Sequence, residues 1–205
     1  MDIQLVRAFL EDADKIWKMQ VESFMSLYEK YQDTDTSPAT EPLEKVIWRL
    51  EQPNTYFYFI VADEIPVGAI RVIDDKKENI RKRISPIFIL PEHRNKGYAQ
   101  KAIIEAEKIH GDKNWFLDTI LQEKGNCALY EKMGYEIISQ KLPSSNLGMY
   151  YSVTLSNYKT IHTLINIRDR FTYVNLQGDL FEGFDTSPKT NINWSSSSQV
   201  ILVAK

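Results

Sequence analysis

The spacing of apolar residues near the start of the chain changes from every second position to every third or fourth. Alternation over Ile3–Arg7 predicts a first β-strand, because successive side chains of a strand point to opposite faces. Asp12 then suits the N-cap of a helix, since its carboxylate can accept from the first unpaired amides. The apolar face predicted for that helix carries Trp17, Val21, Phe24, Tyr28 and Tyr31.

The same two spacings predict the elements up to residue 90. After a polar, proline-containing segment comes a short helix whose apolar face consists of Leu43, Val46, Ile47 and Leu50. The stretches TYFYFIVA and PVGAIRVI flank Asp63-Glu64, which indicates an antiparallel hairpin. A charged turn leads to the strand ISPIFIL. Because Pro86 cannot donate a ladder hydrogen bond, we expect a bulge or distortion in that strand.

A loop with a candidate anion site follows this strand. The loop residues Arg94 to Ala99 pass directly into a helical pattern in which Ala99, Ala102, Ile103 and Ala106 share one face. The first turn of a helix has unpaired N–H groups and partial positive charge, so it attracts anions. Gly97 has no Cβ to keep a ligand away from the backbone. A pyrophosphate is the expected ligand.

A second motif, GNCALYEKMGYE, spans Gly125 to Glu136. Together with the Arg94-x-x-Gly97-x-Ala99 loop, in this order and spacing, it resembles the GCN5-related N-acetyltransferase (GNAT) superfamily, as a small bacterial-type domain. The resemblance covers Asp2 to Leu155. It implies an α/β fold with a mixed central β-sheet flanked by α-helices. Strands at 115–120, 135–140 and 149–155, with the helix of the second motif between the first two, fit that order.

The resemblance also implies which residues bind the acyl donor, acetyl-CoA. Backbone groups of the distorted strand would hold the pantetheine arm and polarise the carbonyl, and the loop would hold the pyrophosphate. The matching positions are Ile87, Phe88, Ile89, Arg94, Asn95, Lys96, Gly97, Tyr98, Ala99 and Gln100, with Asn126 nearby. Glu123 stands where the family often has an asparagine that contacts CoA, and Asn126 falls where it usually has a small residue.

Tyr130, in the stretch LYEKMGY, matches the family's general acid. A phenol with a pKa of about 10 stays protonated at neutral pH and can donate its proton to a leaving thiolate. The simpler alternative is a core tyrosine. The family's usual strand carboxylate is missing from ISPIFIL, so Asp118 on the next strand is the candidate base, with a water relay because Asp is short. A strand-end residue bonded to backbone is the alternative. Glu22, Asp33 and Asp35 could attract a cationic acceptor, although surface carboxylates are common.

Charge and composition narrow the range of binding partners, compartments and metal sites that the sequence allows. The 205 residues carry a formal net charge of −3, so no global field draws the protein to nucleic acid or to an anionic membrane. The single cysteine, Cys127, and an acidic N-terminus without a long apolar run are typical of a cytoplasmic protein. Dispersed histidines give no metal-ligand spacing. The basic cluster from Lys76 to Arg83 could steer the phosphates of CoA or a nucleic acid, but nearby carboxylates favour a solvated turn.

These observations divide the chain into a GNAT acetyltransferase domain at 1–155 and a C-terminal extension of unknown role at 156–205. In the extension, NYKTIHTLINI could be helical, and RFTYVNL and VILVA are β-prone. These segments need a partner surface, either a sheet edge of this chain or a second copy in a homodimer.

The expected function is acetyl-CoA-dependent N-acetyl transfer, directly from the donor to the primary amine of a small molecule. The alternatives are protein or peptide N-acetylation and a non-catalytic acyl-CoA-binding module.

Overall fold

The computed structural model describes residues 2–77, 80–141, 152–157, 170–174 and 180–184. The chain divides into two compact units, Met1–Lys159 and Thr160–Lys205. Among the described helices, none is long and apolar enough to cross a bilayer.

The first unit contains a mixed sheet and helices on both faces. Its strands are β1 (Ile3–Arg7), β2 (Thr55–Ala62), β3 (Ile65–Ile73), β4 (Lys82–Ile89), β5 (Trp115–Ile120), β6 (Glu136–Lys141) and β7 (Ser152–Asn157). Its helices are α1 (Ala13–Tyr31), α2 (Leu43–Glu51), α3 (Tyr98–His110) and α4 (Lys124–Lys132). The seven strands lie in the order β1-β2-β3-β4-β5-β7-β6, and only β4 and β5 pair in parallel. The predicted α/β class is confirmed.

The second unit contains a two-stranded antiparallel sheet of β8 (Arg170–Val174) and β9 (Leu180–Phe184). The strand predicted in RFTYVNL corresponds to β8, whereas β9 has no counterpart in the sequence-based prediction. The expectations for NYKTIHTLINI and VILVA lie outside the described residues.

The predicted hairpin is present as β2 and β3. Asp63 and Glu64 have φ angles of 49° and 67°, and Ala62 pairs with Ile65. Positive φ at both central residues is the geometry of a type I′ turn, whose twist matches that of the flanking strands. A glycine is therefore not required at this turn, although it would adopt the conformation more easily.

Helix α1 begins where predicted, and its buried face overlaps the predicted one at Tyr31 but is rotated away from it elsewhere. Its buried residues are Ala13, Ile16, Met19, Gln20, Ser23 and Tyr31. Trp17 and Phe24 are only partly buried at the edge of the core, where Trp17 Nε1 donates to the Glu41 carbonyl at 2.9 Å. Trp17 thus covers the border between the helix and the following loop, whereas the Phe24 ring packs edge-on against Phe88 of β4, with 5.9 Å between the centroids. The carboxylate of Asp12 accepts from the Phe9 amide at 2.9 Å and does not cap the helix.

Two hydrophobic cores lie on the two faces of the sheet. On one face, residues of α3 and α4, including Ile103, pack around the fully buried Trp115. On the other face, Ile16 of α1 and Val46 of α2 pack onto β2, β3 and β4. Val46 is fully buried, and the other apolar residues predicted for α2 pack around the same core, which confirms that face.

The sheet opens along β4. Only Lys82, Arg83 and Ile84 of this strand pair with β5. On its other side, the register with β3 shifts between Ile70 and Val72, opposite Ser85 and Pro86. The distortion predicted at Pro86 is therefore present. Beyond it, the second half of β4 keeps its pairing with β3 and has no ladder with β5 among the described strands.

Candidate active site

A cleft of about 570 Å³ lies between α1, the end of β4, the loop before α3, and α4. Most of the residues that the sequence singled out for acetyl-CoA line this cleft: Ile87, Phe88, Ile89, Arg94, Asn95, Gly97, Tyr98, Ala99, Gln100 and Asn126. Tyr130 lines it as well. Lys96 and Asp118 are not among the described residues that line it. The structure thus brings the two sequence motifs together around one space.

The N-terminus of α3 forms one wall of the cleft. Gly97 is the N-cap, with a φ of 77°, and no side chain caps the helix. The first intrahelical bond runs from the Lys101 amide to the Gly97 carbonyl at 3.2 Å. By helix geometry, the amides of the first turn point away from the helix body, where they can bind an anion. A Cβ built on Gly97 would meet nothing within 4 Å, so the space beside it is open to a ligand.

Arg94 connects the loop before α3 to helix α1 and to the end of strand β4. Its Nη2 donates to the Ser23 carbonyl of α1 at 2.5 Å, and its Nε donates to the Ile89 carbonyl at 3.2 Å. Both contacts are made to backbone carbonyls, so neither of these partners is a carboxylate that would pair with the guanidinium. This arrangement suits the binding of a phosphate group.

Gly68 allows β3 to lie very close to the backbone of Phe88, near the C-terminal end of β4. An ideal Cβ on Gly68 would lie 2.2 Å from the Phe88 carbonyl oxygen. The backbone of Ile87–Ile89, the positions predicted to hold the cofactor, is therefore packed against a glycine. The sequence reasoning overlooked Gly68, although an isolated glycine inside a strand pattern often marks a close backbone approach.

Tyr130 lies on α4 and is buried at the wall of the cleft. Burial, with a small contribution from Cys127, raises its pKa to about 12. Among the described residues, none forms a hydrogen bond with its hydroxyl. The phenol is therefore protonated at neutral pH, and its proton is available to a ligand.

Asp118 lies on β5 and points to the sheet face opposite Leu117, which is buried in the α3-side core. Its Oδ2 accepts from Nη2 of Arg83 at 2.8 Å, and about a third of its side chain is exposed. The predicted base is thus ion-paired with β4 and stands outside the cleft lining. The role of Asp118 as a base, through a water relay, stays a prediction.

Glu123, which replaces the expected asparagine, bridges two walls of the cleft. Its Oε1 accepts from Nζ of Lys30 and from the hydroxyl of Tyr31, both at 2.6 Å. The hydrogen bond from Lys30 and then that from Tyr31 lower the pKa of Glu123. No sequence signal predicts these contacts, because residues on α1 and at the start of α4 lie far apart along the chain.

The structure also shows the surroundings of Asp33, Cys127 and His93. The Asp33 carboxylate accepts from the Asp35 and Thr36 amides, both at 3.0 Å, and so serves its own loop. Cys127 is buried, and burial raises the pKa of its thiol, which suits packing. His93 lines the cleft. No cluster of side chains suited to holding a metal ion is found within the described segments.

Similar folds occur among solved acetyltransferase structures. The PaiA N-acetyltransferase of Thermoplasma acidophilum, in complex with coenzyme A, is 18% identical, has a TM-score of 0.52, and aligns over 77% of this chain and 100% of its own. The microcin C7 self-immunity acetyltransferase MccE, in complex with acetyl-CoA and AMP, is 15% identical (TM-score 0.58; 75% and 91% coverage). The ribosomal-protein-S18-alanine N-acetyltransferase of Escherichia coli is 9% identical (TM-score 0.60; 79% and 98%). No curated protein matches this sequence.

The fold, with its split mixed sheet, is therefore that of these solved acetyltransferases. The chain belongs to the acetyltransferase (GNAT) family, whose profile matches residues 17–135.

Proposed function

We propose that this protein is an acetyl-CoA-dependent N-acetyltransferase that acts directly on the primary amine of a small molecule. The observation that carries the proposal is the single cleft that contains the α3 N-terminus, the unpaired half of β4 and Tyr130. Solved members of the same fold contain coenzyme A or acetyl-CoA. The Arg94–Gln100 loop would bind the pyrophosphate, and the Ile87–Ile89 backbone, together with Asn126, would hold the pantetheine and acetyl groups.

In the proposed reaction, the neutral amine nitrogen attacks the acetyl carbon, and the carbon–sulfur bond breaks. The Tyr130 hydroxyl gives its proton to the departing sulfur, since burial keeps this phenol protonated. The proton lost by the amine passes to water, with Asp118 as the proposed acceptor behind that water. Holding both substrates in one cleft replaces a bimolecular encounter by an oriented one, which is itself a large part of catalysis.

The test is release of free CoA from acetyl-CoA over a panel of small primary amines and of peptides with free N-termini or lysines. The proposal expects turnover with small amines and little with peptides. Turnover with peptides alone would favour protein N-acetylation. Acetyl-CoA binding without turnover of any acceptor would favour a non-catalytic acyl-CoA-binding module.

A further inference from the structure

Helix α4, which carries Tyr130, has few anchors of its own. It contains nine residues, and an isolated helix of that length is only marginally stable in water. Gly125 and Asn126 in its first turn are weak helix formers. Within α4, whose residues the structure describes throughout, only Cys127 and Tyr130 are buried. The place of this helix therefore depends on how its start is attached to neighbouring elements.

Glu123 attaches the start of α4 to the last turn of α1. Its carbonyl accepts from the Asn126 amide at 2.9 Å and from the Cys127 amide at 3.2 Å, so the helix begins from this residue. Its side chain makes no cap bond to α4. Instead, Oε1 accepts from the Tyr31 hydroxyl and from Lys30 Nζ of α1, both at 2.6 Å. The main chain and the side chain of one residue thus join two helices.

The hydrogen bond from Tyr31 is the main part of this attachment. Tyr31 is only 6% exposed. Burial, followed by the hydrogen bond to Glu123, raises the pKa of its hydroxyl, which is therefore a donor at neutral pH. A short bond from a hydroxyl to a carboxylate is roughly twice as strong as one between neutral groups. The Lys30 side chain is 56% exposed, so water screens its attraction to the same carboxylate.

The position of Tyr130 follows from the position of Glu123. Tyr130 comes seven positions later in the chain, which is close to two helical turns, so the two residues lie on the same side of α4, about 10 Å apart along its axis. Both line the cleft. Because no described residue forms a hydrogen bond with the Tyr130 hydroxyl, its place is set by the packing of its ring and by the placement of α4. Displacement of the helix start would therefore move this hydroxyl.

Tyr31 acts from outside the cleft. It is not among the described residues that line the cleft, although its neighbour Lys30 is. An effect of the Tyr31 hydroxyl on the reaction would therefore pass through Glu123 and α4, and not through a contact with a ligand.

We infer that Tyr31 and Glu123 are positioning residues, whose hydrogen bond fixes the start of α4 and so holds the Tyr130 hydroxyl where it can protonate the departing sulfur. The role of Tyr130 in this inference rests on the proposed N-acetyltransferase function. The attachment of α4 to α1 does not depend on it and can be tested without an acceptor.

The first experiment measures the opening of α4 through its cysteine. Cys127 is the single cysteine of the chain and is buried, so its reaction with the thiol reagent dithiobisnitrobenzoate requires the helix to open. Tyr31→Phe, which removes only the hydroxyl, should raise the rate by roughly ten-fold or more, the factor that corresponds to one hydrogen bond to a charged group. Tyr28→Phe is the matched control one turn earlier on α1. Its hydroxyl forms no hydrogen bond with a described residue, so the rate should stay unchanged.

The urea dependence of this rate separates a local attachment from general stabilisation of the fold. Local opening of α4 exposes little surface, so low concentrations of urea should hardly change the rate in either the wild type or Tyr31→Phe. A rate that is unaffected by Tyr31→Phe would overturn the inference. A rate that rises with urea as steeply as global unfolding would also overturn it, because Cys127 would then react only from the unfolded chain.

The second experiment measures CoA release with an acceptor that turns over. Tyr31→Phe should lower kcat by roughly ten- to a hundred-fold, since a small misplacement of a reacting group is enough for such a loss, and should leave the KM of acetyl-CoA unchanged. Glu123→Gln keeps an oxygen that can accept from Tyr31, so it should lose less kcat than Glu123→Ala. In a Tyr130→Phe background, which already lacks the proton, Tyr31→Phe should lower kcat little further.

The inference and the proposed function can fail separately. Turnover by the wild type with an unchanged kcat in Tyr31→Phe would overturn the inference and leave the proposed function standing. The same loss of kcat from Tyr31→Phe with and without Tyr130 would overturn it as well, because Tyr31 would then act independently of that proton. If no acceptor turns over, the proposed function fails, and the reactivity of Cys127 alone decides whether this hydrogen bond holds α4.

Discussion

The carboxylate of Asp74, at the end of β3, lies 2.7 Å from Nδ1 of His110, the last residue of α3. Both side chains are almost completely buried. The other ring nitrogen of His110 lies 2.9 Å from the Tyr58 hydroxyl, and Lys76 Nζ contacts both Asp74 and the ring. This network connects the C-terminus of α3 to β2 and β3.

The network predicts that stability falls on acidification. Burial, followed by the nearby Lys76 charge, lowers the pKa of His110 against the opposing effect of Asp74. Below a pH of about 6.5, His110 therefore takes up a proton more readily in the unfolded chain than in the folded protein. The stability that is present above this pH is lost as the pH falls. Urea unfolding between pH 8 and 5 should show this slope. His110→Asn should flatten it, whereas His93→Asn, in the loop before α3, should not.

Asp74 also makes the folded protein less stable as the pH falls, but in a lower pH range than His110. Burial alone would raise its pKa, but hydrogen bonds from Lys76 and His110 outweigh this and lower the pKa to about 2. Relative to an unfolded value of 3.8, this corresponds to about 2 kcal/mol, present above pH 3.8 and lost as the pH falls to about 2. Asp74→Asn should therefore destabilise the protein at neutral pH and much less at pH 2. An equal loss at both values would contradict the ionic origin.

Substitution of Gly68 should damage the acyl-donor site without touching a ligand. A Cβ at this position would lie 2.2 Å from the Phe88 carbonyl, which is backbone and cannot rotate away. Gly68→Ala should therefore displace the end of β4, weaken acetyl-CoA binding by ten-fold or more, and cost roughly 1–3 kcal/mol of stability. Titration calorimetry and thermal unfolding measure the two effects.

The elements that were predicted correctly depend on local patterns. β1 at Ile3–Arg7 and β5 at Trp115–Ile120 have the predicted bounds, because period and turn residues decide them within a few positions. The buried face of α1 was predicted only in part, at Tyr31, since the rest depends on which strands and loops the helix meets. The contact between Lys30 and Glu123 could not be predicted either, because α1 and α4 meet only in the folded chain.

Gly97→Asp should abolish acetyl-CoA binding. Asp would strain the positive φ of 77° and place a negative charge in the open space beside the first turn of α3. In the wild type, acetyl-CoA at a hundred times its Kd should stabilise the fold by about 2.7 kcal/mol, seen as a rise in Tm. The variant should show no such rise. Its own Tm in the absence of ligand is the control, and an undiminished shift in a folded variant would remove the loop from the site.

Tyr130→Phe should lower kcat by roughly 10²–10⁴-fold, the usual contribution of a general acid. The ring stays in the core, and no protein hydrogen bond among the described residues is lost, so folding and acetyl-CoA affinity should persist. Pre-steady-state measurement of CoA release separates chemistry from product dissociation. Tyr135→Phe is the matched control on the neighbouring ring, 6.2 Å away, and should leave kcat unchanged. Wild-type turnover in Tyr130→Phe would make this residue a core tyrosine.

Glu41 should be among the carboxylates most important for stability. It forms a bidentate ion pair with Arg49, receives a 3.1 Å hydrogen bond from Gln20, and counters the charge of the buried Arg71, whose pKa burial lowers to about 10. Side-chain exposure is only 13% for Arg49 and 18% for Glu41. Glu41→Ala would leave two arginines without their counter-ion in this environment, so we expect a loss of about 3–5 kcal/mol.

The exposed pair between Asp14 and Lys18 on α1 is the matched control. These side chains are 58% and 66% exposed, so water already screens their attraction. Asp14→Ala should cost less than about 0.5 kcal/mol in the same urea titration. Raising the salt concentration to 1 M should remove this small effect and leave most of the Glu41 effect, because a buried pair is screened much less. Equal losses for the two variants would show that burial does not decide the strength of the Glu41–Arg49 pair.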